Sequence, residues 1–176
     1  MPDTFTEIRD LIVHARASRI LKFDHIDELN QMRPADGLEL VPVHPLGGLP
    51  MGGVVPEVTA EMKKAAHLWV VREVDTVHAP EYCKFGDGLA KKKIKHTNLT
   101  GGAPAFSGGE LIWIGEREVL VNGCSGRYGP LNASELAAAA QGFAKAGLKC
   151  WSSGYDEGSG YCFRFGASVP VEVSAI

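Results

Sequence analysis

Residues 95–130 concentrate the side chains of this sequence that are suited to chemistry. They include a histidine, His96, a carboxylate that stands alone before an apolar run, Glu110, and a glycine-rich corner that contains Tyr128. Imidazole, carboxylate and phenol groups are common carriers of general acid–base catalysis. We therefore predict that the functional site lies in this segment, with His96, Glu110 and Tyr128 as its catalytic residues.

Four lysines precede His96 in the run KKKIK at 91–95. We predict a strand over 94–99, and in an extended chain alternate lysines share one face while His96 lies on the other. One interpretation is a rim, ending at Lys95, that attracts the phosphates of a nucleotide. The alternative is a solvated basic edge that prevents pairing with another sheet.

The residues after His96 suit a sugar or an amide. The Thr97 hydroxyl and the Asn98 amide are predicted to hydrogen-bond a ribose or a carboxamide, and Gly102 is predicted to let the backbone approach the ligand closely. The alternative is a turn stabilised by its own hydroxyl and amide groups.

Glu110 precedes the apolar run 111–114. A carboxylate there is predicted to act as a general base or to stabilise an oxocarbenium-like centre. The alternative is a surface residue at the end of a strand.

The corner NGCSGRYGP spans 122–130. Tyr128 is predicted to stack on a planar ring, Arg127 to pair with phosphate, and Ser125 to belong to the same binding site. A thiol hydrolase built on Cys124 is a weaker hypothesis, because no neighbouring base marks that cysteine as reactive.

Composition places the chain among ordinary globular proteins. It has 176 residues, is 45% hydrophobic and 22% charged, and carries a net charge of −3. That charge predicts neither sequence-specific nucleic-acid binding nor attraction to a membrane surface. The four cysteines form no Cys-x-x-Cys pair and no His-x-x-x-His motif is present, so we predict reduced cysteines and no metal.

Hydrophobic periodicity predicts an α+β fold with a mainly antiparallel sheet, one helix packed across it and an N-terminal helical segment. The helix is predicted over 135–146, capped by Asn132 or Ser134 and ended by Gly147. Predicted strands cover 68–74, 94–99, 110–114, 119–122, 148–152 and 161–165, with a last extended piece over 167–173. The last two strands are predicted to be joined by the polar turn at 154–160.

Two units are predicted, 1–58 and 59–176. The first contains a helix over 5–18, a short helix after Asp24, and a proline- and glycine-rich arm over 34–56. The arm is too apolar for a disordered linker, so we expect an ordered loop that packs along the domain; a lid or a partner-binding arm is the sharper interpretation. The second unit is expected to begin with a short helix over 59–67.

The pattern of these residues resembles a module found at the C-termini of bacterial polymorphic toxins and secreted effectors, and in plant calmodulin-binding IQ-motif proteins. The resemblance extends loosely from residue 68 through the helix at 135–146. Two departures are present, Thr97-Asn98 in place of a serine pair and Arg127 in place of a histidine. The matching residues are His96, Thr97, Asn98, Leu99, Gly102, Gly109, Glu110, Asn122, Ser125, Gly126, Tyr128 and Pro130.

The spacing of His96 and Tyr128 is also similar to the His–Tyr arrangement of one class of ADP-ribosyltransferases. That resemblance implies NAD as substrate, with the histidine holding ribose, the tyrosine stacking on nicotinamide and a carboxylate supporting the transition state.

We therefore expect a toxin- or effector-type enzyme that acts on NAD or another nucleotide, by ADP-ribosyl transfer or by glycoside hydrolysis. The alternative is a non-catalytic protein- or ligand-binding module of the same fold, which Arg127 favours. Expected partners are a small-molecule or nucleotide ligand and a protein target. With no signal peptide and no run of about 18 apolar residues, we expect a soluble protein, cytoplasmic or secreted without a cleaved signal.

Overall fold

A computed structural model describes residues 25–41, 44 and 49–175 of the chain. The fold is α+β, as predicted. The predicted helix over 5–18 lies outside the described residues. The strands are β1 Glu39–Leu40, β2 His67–Val71, β3 Thr76–Pro80, β4 Ser107–Gly115, β5 Glu118–Val121, β6 Lys149–Ser152, β7 Tyr155–Asp156, β8 Tyr161–Cys162 and β9 Val171–Val173. The main sheet has seven of these strands, in the order β1-β3-β2-β4-β5-β6-β9.

The helices are short except for the last. Two 3-10 turns, Ile26–Leu29 and Pro34–Asp36, are followed by α1 Ala60–Lys64, α2 Lys84–Asp87, α3 His96–Thr100 and α4 Ala133–Lys145. The prediction of α4 is confirmed: the Asn132 side chain accepts the N–H of Glu135, and Gly147 follows the helix with a φ of 99°. In the described part of the chain, no helix is long and apolar enough to cross a bilayer.

The sheet is mainly antiparallel, with one parallel pair between β5 and β6. Helix α4 makes that crossover and packs across one face, where Trp69 meets the Phe143 ring edge-on at 5.4 Å. Leu68 and Val70 of β2 face the other side, against Leu99 of α3. Burial on both faces explains the continuous apolar run of this central strand.

Several element predictions are wrong for local reasons. The strand predicted over 68–74 ends at Val71, since Arg72 donates from its backbone to Asp75 and pairs with its carboxylate in a turn. That turn leads into β3, which the sequence did not predict. The strand predicted over 161–165 is only the two-residue β8, which pairs with β7 in a separate hairpin, while β6 pairs with β9.

The strand predicted over 94–99 is also wrong, because the chain becomes helix α3 at His96. Asn98 causes the change: its side-chain oxygen accepts the backbone N–H of Lys95 at 2.8 Å and caps the helix. The same amide donates to the carbonyls of Asp27 and Asn30, at 3.0 and 2.9 Å. The segment before the sheet is therefore held against α3.

Part of the arm over 34–56 packs on the sheet. Glu39 and Leu40 pair with β3 at the sheet edge, and Val41 is buried in the core beside α4. Further along, Gly52 donates its N–H to the Glu172 carboxylate at 2.7 Å. An ordered course through these residues fits the expectation of a packed loop.

Gly109 permits the closest contact within the sheet. A β-carbon at this position would lie 1.9 Å from the Asn122 carbonyl oxygen and 2.8 Å from the Trp69 ring. The obstacle is backbone and cannot rotate away. A glycine is therefore required here by packing rather than by backbone conformation.

We predict that Gly109→Ala lowers the free energy of unfolding by about 3 kcal/mol or more, since the overpacked atom meets backbone. Gly115→Ala is the matched control on the same strand, because its β-carbon would enter open space. Urea denaturation of both variants measures the difference. Equal midpoints would show that the contact at Gly109 relaxes at little cost.

Candidate functional site

A cavity of about 730 Å³ opens at the end of the sheet where β2, β4 and the corner after β5 meet. Five of the nine predicted site residues line it: Lys95, His96, Glu110, Ser125 and Arg127. The other four, Thr97, Asn98, Gly102 and Tyr128, are not among its lining residues.

Glu110 is the most constrained acid of the cavity. Asn122 donates from its side-chain nitrogen to the Glu110 carboxylate at 3.1 Å and accepts the Glu110 backbone N–H at 2.9 Å. The same amide oxygen accepts the N–H of Cys124 at 2.9 Å. The fully buried Asn122 thus fixes both the backbone and the carboxylate of Glu110. The sequence placed Asn122 in its motif but did not predict this role.

The surroundings of Glu110 raise the pKa of its carboxyl above the usual range. Burial raises its pKa, and the Asn122 hydrogen bond opposes the change. Nearby Glu81 raises the pKa further, while Arg164 and Lys93 lower it. A carboxyl of this kind suits proton transfer or charge stabilisation in a partly dry site.

His96 is buried in the wall of the cavity as the first residue of α3. Its Nε2 lies 2.8 Å from the Gly109 carbonyl, so Nε2 carries the proton and donates it in that hydrogen bond. Burial lowers the pKa of His96 to about 4, against the effect of the Gly109 hydrogen bond. The imidazole is therefore neutral at pH 7, with Nδ1 as its acceptor.

Lys95 and Arg127 were predicted to meet phosphate, and the structure gives both a protein partner instead. The buried Glu28 carboxylate pairs with Lys95 through one oxygen and with Arg127 through the other, at 2.9 Å for Arg127. Glu28 lies in the 3-10 turn 26–29 and carries no recognisable signal in the sequence. Lys95 and Arg127 therefore share one buried counter-ion, whose single carboxylate offsets one of their two positive charges.

Three predicted ligand-binding residues do not line the cavity. Asn98 is fully buried, with its side-chain hydrogen bonds directed to Lys95, Asp27 and Asn30. A β-carbon on Gly102 would lie 2.6 Å from Leu29, so the close approach made here is to the protein's own chain. Thr97 is also fully buried.

Tyr128 does not offer a stacking surface. Its ring is 2% exposed and packs in the core with Leu99 and Ile94. Its hydroxyl donates to the Ala103 carbonyl at 2.8 Å and lies 2.9 Å from the Thr100 hydroxyl oxygen, and burial raises its pKa. The predicted stacking and catalytic roles of Tyr128 are replaced by a structural one.

The corner after β5 contributes a thiol and a hydroxyl. Burial, followed by the charge of Glu110, raises the pKa of Cys124 to about 12, so the thiol is protonated at neutral pH and is a poor nucleophile. The Ser125 hydroxyl accepts the N–H of Tyr128 at 3.1 Å and shapes the turn. No disulfide joins Cys83, Cys124, Cys150 and Cys162, all of which lie in the described part of the chain.

Sequence reasoning missed three charged residues that line the cavity, Lys63, Glu81 and Arg164, whereas Lys93 belongs to the lysine run that was predicted to form a rim. Lys93 pairs with Glu81 at 3.3 Å. Lys63, Glu81 and Arg164 come from separate segments of the chain, so no local motif could have grouped them.

Over the part of the chain that the structure describes, no group of three His, Cys, Asp or Glu side chains is placed to hold a metal. His67 and His78 form a pair outside the cavity, with their Nδ1 atoms 2.9 Å apart. Burial lowers the pKa of both to about 4.

No family model, curated protein or solved structure matches this chain.

We predict that Glu28→Gln lowers the free energy of unfolding by about 3 kcal/mol, because it leaves the charges of Lys95 and Arg127 without their buried counter-ion. Glu57→Gln, at an exposed position, is the control. Arg127→Gln should cost less in the Glu28→Gln background than in the native protein. Strictly additive losses in urea denaturation would show that the two residues do not interact.

Proposed function

We propose that this protein is a toxin- or effector-type enzyme that binds NAD or another nucleotide in the cavity and breaks its glycosidic bond. The observation that carries the proposal is the Glu110 carboxyl, held by Asn122 at the wall of a cavity with five cationic and two acidic lining residues. The volume of about 730 Å³ falls in the range of small-ligand sites. The resemblance to toxin and effector modules supports the same class.

The proposed reaction needs a negative charge close to the sugar. When the bond between ribose and nicotinamide breaks, nicotinamide leaves with the electron pair and positive charge develops on the ribose carbon. The Glu110 carboxylate stabilises that charge. Water, or a hydroxyl or amine of an acceptor, then bonds to the same carbon, and Glu110 accepts the proton that it loses.

His96 has a positioning role in this proposal. Because the Nε2–H group of His96 donates a hydrogen bond to the Gly109 carbonyl, the neutral ring offers Nδ1 as an acceptor for a ribose hydroxyl. Leu68 and Ile94 supply apolar wall on which the base packs. Tyr128 takes no part in ligand contact.

A second candidate is a non-catalytic binding module of the same fold. The specific observation in its favour is the Glu28–Arg127 ion pair. In the resembling module a histidine stands at the position of Arg127, and here that position stabilises the fold. Such a module binds ligand in the same cavity without turnover.

We predict that the protein releases nicotinamide from NAD and that Glu110→Gln reduces the rate constant at least about 100-fold, with the dissociation constant for NAD changed little. The variant keeps an oxygen that accepts from Asn122, so its fold should persist. The acid limb of the native pH–rate profile should lie above the ordinary glutamate pKa, since the carboxylate is the active form and burial raises its pKa. The variant should lack that limb.

Glu116→Gln, at an exposed hairpin residue, is the matched control and should keep full activity. Liquid chromatography of nicotinamide and a thermal-shift titration with NAD separate the candidates. A shift without release favours the binding module. If NAD causes no thermal shift and releases no nicotinamide, NAD is ruled out as the ligand.

A further inference from the structure

The charges around the cavity are compensated unevenly. Lys95 and Arg127 share Glu28, and Lys93 pairs with Glu81. Lys63 and Arg164 also line the cavity, and neither makes an ion pair with any residue that the structure describes. Cations that make no ion pair can attract anions to a cavity, even in a protein whose net charge is −3.

Packing holds the segment that carries Arg164 against the helix that carries Lys63. Phe165 is buried in a small cluster with Ala66 and Met62, which fixes the segment after β8 against helix α1. The Lys63 ammonium nitrogen lies 3.4 Å from where a β-carbon would stand at Gly166. Lys63 therefore lies beside the segment of Arg164, and both residues line the cavity.

Arg164 is also close to the proposed reaction centre. Its positive charge acts to lower the pKa of Glu110 and of Cys124, two residues that line the same cavity. A short ligand that binds Arg164 can therefore also contact the Glu110 carboxylate.

We propose that Lys63 and Arg164 form the anion-binding subsite of the cavity and that the ligand is a phosphate ester or pyrophosphate, as in a nucleoside diphosphate. This inference rests on the proposed binding of a nucleotide. The planar guanidinium of Arg164 forms paired hydrogen bonds with phosphate oxygens, and the Lys63 ammonium adds a point charge. The subsite differs from the Lys95–Arg127 pair predicted from the sequence, which already shares the Glu28 carboxylate.

Isothermal titration with ADP-ribose tests the subsite. We expect Lys63→Gln and Arg164→Gln each to raise its dissociation constant about 10-fold, and the double variant about 100-fold, because charge-assisted hydrogen bonds are lost. Lys64→Gln is the matched control, one residue along the same helix and outside the cavity, and should change it less than about 2-fold. Adenosine, which has no phosphate, should bind all variants alike. Thermal unfolding checks that each variant is folded.

Each outcome decides something. Unchanged ADP-ribose affinity in the double variant, or no binding by the native protein, overturns the subsite. Weakened binding without nicotinamide release from NAD keeps the subsite and rejects the proposed reaction. Release with an unchanged KM in the double variant keeps the reaction and rejects the subsite.

Discussion

A buried amide joins β4 to the corner after β5 and sets the geometry of the cavity. Asn122 accepts two backbone N–H groups and donates to the Glu110 carboxylate, so a single side chain fixes where that acid points. Gly109 makes the arrangement feasible, since any side chain there would collide with the Asn122 carbonyl. His96 in turn donates to the Gly109 carbonyl. The acid, the amide and the imidazole therefore depend on one tightly packed stretch of β4.

Among the cationic residues that line the cavity, two share the buried Glu28 and two make no ion pair with a described residue. Glu28 provides a shared counter-ion to Lys95 and Arg127, where burial would otherwise make their charges costly. This pairing explains how the buried Arg127 is accommodated in the corner after β5. Lys63 and Arg164 lie on exposed segments at the cavity. In our proposal, stability and ligand recognition use different cations.

The sequence predicted those features that are encoded by neighbouring residues. Helix α4 follows from the Asn132 cap and Gly147, and the burial of β2 follows from its unbroken apolar run. Glu110 and His96, which were predicted to belong to one site, line the same cavity. Their shared position in a glycine-rich segment was enough to suggest it.

The failures concern contacts between residues that are distant in the chain. Asn98 looked like a ligand group, but it bonds to carbonyls 68 and 71 residues away and turns a predicted strand into α3. Arg127 meets an acid 99 residues away, which no local pattern could reveal. The same separation hid the contact of Lys63 with the segment of Arg164.

The most direct test is a crystal structure of the Glu110→Gln variant with NAD. We predict the pyrophosphate on Lys63 and Arg164 and the ribose carbon of the scissile bond about 3.5 Å from the side chain at position 110. NAD bound outside this cavity, or absent at saturating concentration, would contradict the account.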